Sequence, residues 1–104
     1  MMVKVSIDSS VSLEDIDNFQ RFIVVAQFPQ QSTSVLGDVM KAAGAGRTDT
    51  NHAWVTADWL IRQSGRVTSE TWMAQFVKMC DYGRLRGWVS EHNEIRGHIE
   101  WINC

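Results

Sequence analysis

Three histidines, two cysteines and twelve carboxylates are the side chains here whose chemistry could go beyond packing. A zinc site needs ligands that recur at short, fixed intervals on converging elements, and His92, His98 and Cys104 fit no such pattern. His52 stands apart from them. His92 is expected in a turn and His98 on the outward side of a strand, so all three histidines read as solvated. Asp15 with Asp17, and Glu91 with Glu94, are carboxylate pairs. General acid–base chemistry also needs a nucleophile and oxyanion donors beside the pair, and neither has them. Gly44-Ala45-Gly46-Arg47-Thr48 is glycine-rich, but it lacks the Gly-Lys-Ser/Thr ending of a phosphate loop and follows a helical pattern instead of a strand. The expectation is therefore no catalytic residue, no metal ligand, no cofactor and no small-molecule substrate.

What remains is recognition chemistry, carried by cations and large aromatics. The net charge is −2, from 10 Lys and Arg against 12 Asp and Glu. It is unevenly spread: residues 1–60 hold four cations and seven acids, residues 61–104 six cations and five acids. A domain devoted to nucleic acid usually shows a far stronger basic bias. Arg and Trp are the types enriched at the centres of protein interfaces. On that ground Arg84, Arg86, Trp88, Arg96 and His98 are predicted to form a partner-binding surface, for another protein or for self-association. Arg84 and Arg86 also suit the negative end of a helix dipole. An alternative set for nucleic acid is Arg62, Arg66, Gln75, Lys78 and Arg96, with cations for phosphate and Gln75 for an adenine edge.

The elements that must position these groups are read from periodicity. Val3, Val5 and Ile7 alternate with Lys4 and Ser6, as in a strand with one buried face. Val11 to Ile16 reads as a helix start, with Ser12 as N-cap, Asp15 as a shortened capping-box partner, and Val11 with Ile16 as a hydrophobic staple. Leu13, Ile16, Phe19 and Ile23 continue at helical spacing. Phe22 to Phe28 reads equally as the end of that helix or as a buried strand, and Pro29 closes either. Ser34 is expected to cap a helix that buries Val35, Leu36, Val39, Met40 and Ala43, with Gly44 and Gly46 ending it. Arg47 to Asn51 reads as a polar, mobile loop.

From Ala53 the pattern tightens. Thr56 is expected to cap a short helix with Trp59 and Leu60, which stops at Ser64-Gly65; Val67 then plugs the turn. Thr68 or Ser69 caps a longer helix with the core stripe Trp72, Phe76, Met79, Cys80 and Gly83. Its outward face is Glu70, Thr71, Ala74, Gln75, Lys78, Asp81 and Tyr82. After Gly87 the period changes. Trp88-Val89 opens a strand, Glu91 to Glu94 turns, and Ile95, Gly97, Ile99 and Trp101 alternate with Arg96, His98 and Glu100. Two helices around a tight turn, then a hairpin, is a layout that resembles the winged-helix superfamily over about fifty residues, by pattern and not by a diagnostic motif.

The expected fold is thus α+β, a mostly helical single domain spanning residues 1–104. Residues 1–52 would supply a strand and helices, and residues 53–104 a winged-helix-like helix-turn-helix and hairpin. The expected function is a small intracellular, non-catalytic protein-interaction or regulatory module. The alternative is a DNA-binding transcriptional regulator using the winged helix-turn-helix, which one cation against two acids on the outward helix face disfavours. Met1 to Ser6 shows no signal-peptide pattern, and the longest apolar run, Phe22 to Ala26, is far short of a membrane span, so a cytoplasmic protein is expected. A Cys80–Cys104 disulfide is not expected, because Cys80 falls on an apolar helix face.

Overall fold

In the computed structural model, which describes residues 1–102, the chain forms six strands and three helices. These are β1 (Met2–Ser6), β2 (Val11–Glu14), β3 (Ile23–Gln27), α1 (Thr33–Ala42), β4 (Gly46–Thr48), β5 (His52–Thr56), α2 (Ala57–Ser64), α3 (Glu70–Leu85) and β6 (Glu94–Ile102). The strands make one mixed sheet in the order β2-β1-β3-β6-β5-β4. β1, β3 and β6 run parallel, while β2, β5 and β4 pair antiparallel to their neighbours.

Register explains the core. Leu13, Val3, Val24 and Ile99 lie side by side across four strands, and so do Val11, Val5, Ala26 and Trp101. On the other side of β6, Val55 faces Ile95 and Ala53 faces Gly97. Side chains alternate between faces along a strand, so all of these share one face. α2 lies against both β2 and β5, which are far apart in the sheet order. That is possible only because the sheet curls into a half-barrel. Leu36 and Met40 of α1, Trp59 and Leu60 of α2, and Trp72 and Phe76 of α3 complete the core cluster.

The caps follow local chemistry. Ser32, Thr56 and Ser69 each accept an amide hydrogen bond at a helix start, from Val35, Trp59 and Trp72. Gly65 ends α2 in the left-handed conformation. Gly46 is required for a different reason: a Cβ there would stand 1.9 Å from the Trp54 carbonyl oxygen.

The mostly helical, winged-helix expectation is overturned. The chain is 33 % helix and 31 % strand, and β6 is no wing. Trp88-Val89 contributes only an isolated bridge, Val89 to Ile95. β6 instead lies inside the sheet, antiparallel to β5 along Glu94 to His98 and parallel to β3 along His98 to Ile102. The physical reason is that alternation identifies a strand but not its partners. A nine-residue strand burying Ile95, Gly97 and Ile99 is long enough to pair with β5 along its first half and β3 along its second. The sheet also interleaves strands from residues 1–52 and 53–104.

Other readings shift with it. The helix expected from Ser12 is absent; Val11–Glu14 is strand β2, closed by left-handed turn residues at Ser9 and Asp15. Phe22 to Phe28 resolves as a strand, β3. Arg47-Thr48 belongs to β4. Val67 does not plug a turn, since it is 65 % exposed. Cys104 lies outside the described residues, and Cys80 is a free thiol whose burial pushes its pKa up, as expected of a small apolar side chain.

Candidate functional site

β3 starts at Ile23, opposite His98, so the first part of β6 runs beyond it. The segment between α3 and β6 fills that place only in part: Val89 bridges Ile95, and the Arg96 amide donates to the Trp88 carbonyl at 2.7 Å. A cleft of about 850 Å³ opens there beside β6. Phe19, Gln20, Arg21 and Phe22 reach it from the irregular chain ahead of β3. Gln75, Lys78, Met79 and Tyr82 come from α3, and Trp88 and Val89 from the segment after it. Ile95, Arg96 and His98 of β6 line it too, with His52 of β5 opposite His98. Successive residues 95 and 96 point to opposite faces, so the cleft runs across a gap in the sheet instead of along one face.

Each boundary is held by identifiable contacts. Trp72 stacks on Phe76 at 5.1 Å, lies 5.5 Å from Phe19, and donates through Nε1 to the Ile16 carbonyl at 3.1 Å. That ties α3 to the 16–19 segment. Gly97 has no Cβ, and one built there would stand 3.1 Å from the Phe22 ring, so glycine lets Phe22 lie against the sheet. The turn into β6 is fixed by Glu94, whose residue is 8 % exposed. Its carboxylate accepts Arg47 Nε at 3.0 and 3.1 Å and the Ser90 hydroxyl at 3.0 Å. Ser90 in turn accepts the His92 and Glu94 amides.

His52 is placed by Asp49. The Asp49 carboxylate accepts the Asn51 and His52 amides at 2.9 and 2.7 Å and Trp54 Nε1 at 2.8 Å. Partial desolvation pushes its pKa up, but these hydrogen bonds outweigh that and hold it below the ordinary carboxylate value.

The rim has a second character. Arg86 lies 5.0 Å from the Tyr82 ring centre and 6.0 Å from that of Trp88, and the two rings meet edge-on at 6.0 Å. Tyr82 is 52 % and Trp88 38 % exposed. Cation and rings hold one another in place while presenting their outer faces to solvent.

The predicted partner residues are thus divided. Trp88, Arg96 and His98 line the cleft and Arg86 sits at its rim, while Arg84 is directed to Asn93. From the nucleic-acid set, Gln75 and Lys78 join the same cleft. Arg62 and Arg66 do not: they pair with Asp58 and Asp17. Sequence reading missed Phe19, Arg21, Phe22, His52, Met79 and Tyr82. Phe19 had a helical-core signal, and Tyr82 was assigned to the solvent face of a recognition helix. Only the sheet order brings them together.

No family model, curated protein or solved structure matches this chain. Among the described residues, no helix is long and apolar enough to cross a membrane.

Proposed function

We propose that this protein is a non-catalytic interaction or regulatory module, working in the cytoplasm, whose cleft beside β6 receives a segment of another protein. The observation that carries the reading is the cleft's make-up: a concave surface lined by Phe19, Phe22, Tyr82 and Trp88, with Arg86 packed on the last two. Trp, Tyr and Arg are the residues that dominate binding energy when they sit together in a desolvatable pocket. Half-exposed large rings held by a cation are already ordered, so a partner that covers them loses little side-chain freedom.

A photo-cross-linking aromatic residue in place of Tyr82, inside cells that make the protein, tests this. Adducts to a different protein are expected, with none from the same probe at exposed Val67. Adducts only between two copies of this chain would assign the cleft to self-association. No protein adduct at position 82, or equal yields at both positions, would overturn the reading.

A further inference from the structure

The cleft's charge is lopsided in a way the whole chain is not. Arg21, Lys78 and Arg96 line it together with His52 and His98, and no Asp or Glu is among the lining residues. Yet the chain as a whole carries −2. Of the seven cations outside the lining, four have carboxylate partners: Lys4 with Glu14, Arg47 with Glu94, Arg62 with Asp58, Arg66 with Asp17. Among the described residues, Lys78 and Arg96 make no ion pair, while Arg21 pairs with Glu100 at 3.9 Å. A cleft lined by three cations and no carboxylate, two of those cations without an ion pair, favours an anionic occupant.

Resting on the interaction reading above, we propose that the occupant is an extended acidic peptide segment. Its carboxylates lie against Lys78 and Arg96, and an aromatic or aliphatic anchor lies among Phe22, Trp88 and Met79. The volume of about 850 Å³ is large enough for several side chains and far larger than a lone anion needs. Nucleic acid would offer anions and stackable rings too. Three lining cations would displace few counterions from it, however, and the rest of an acidic molecule, with a pI near 5.8, would repel a polyphosphate chain. A short peptide meets only the cleft. Its charges need not extend onto the acidic remainder.

Selection of random peptides on the intact protein, counter-selected on the uncharged Met79→Trp variant that fills the cleft, tests the inference. The Met79→Trp variant's melting curve is checked first, and Gln75→Trp replaces it if it does not fold. The expected motif is rich in Asp and Glu around one large apolar residue. Binding of the selected peptide should weaken about tenfold or more when salt rises from roughly 0.05 to 0.5 M, as the screening length shortens. A neutral or basic motif that still depends on the cleft would overturn the acidic inference while leaving the interaction reading standing. A selected peptide that single-stranded oligonucleotides displace at lower concentration would transfer the site to nucleic acid. No cleft-dependent peptide at all would overturn both.

Discussion

Asp49 shows how one side chain can organise the approach to the cleft. Its two oxygens accept three N–H groups across the β4–β5 turn, including the Trp54 indole. A carboxylate whose folded pKa is depressed contributes stability above its unfolded pKa, and that stability is lost as pH falls through the folded value. The ordinary value is about 3.9, so the loss belongs to acidic solution below roughly pH 4. An NMR titration should show the Trp54 indole proton moving with a midpoint below that value. Asp49→Asn should remove this movement and the corresponding acid-dependent part of stability. A midpoint above about 4 would mean the carboxylate is not held by these donors. None of this was legible in advance, because Arg47 to Asn51 looks like any polar loop until β5 folds back on β4. The separate residue types were readable, and the contacts between them were not.

At the scale of elements, the parts with local causes were legible. Thr56 and Gly65 bound α2, Ser69 starts α3, and Val3/Val5 and Ile95/Ile99 alternate as their strands require. β2 was misread because Ser12, Asp15 and Ile16 carry convincing capping chemistry, while Val11 and Leu13 alternate equally well. Pairing with β1 decides between them, which is tertiary context overriding local preference. The parallel join of β3 to β6 is harder still, since Ile23 and His98 are distant in sequence and nothing near either announces the other. α3 depends on a contact of the same kind. Trp72→Ala should remove its stack on Phe76, its contact with Phe19 and its bond to Ile16, costing about 3–5 kcal/mol. That is a large share of the ~5–15 kcal/mol typical of a small domain. Chemical denaturation would measure it. An unchanged midpoint would mean that α3 is not anchored through this ring.

For the molecule as a whole, the proposed function rests on an incomplete sheet. β6 pairs with β5 along its first half and with β3 along its second; β3 begins late beside that first half, the Trp88-Val89 segment only touches it there, and the cleft occupies that gap. Two sets of residues that look like rival surfaces in the sequence, Arg96 with His98 and Gln75 with Lys78, therefore meet in one place. A winged-helix layout would have put them on separate faces. The most direct test is to measure affinity for one cleft-selected peptide in three charge reversals: Arg96→Glu, Lys78→Glu and, outside the cleft, Arg62→Glu. Arg96→Glu and Lys78→Glu should each weaken binding by at least about tenfold, and Arg62→Glu should leave it unchanged. Loss at Arg62 with the two cleft variants unaffected would contradict the account.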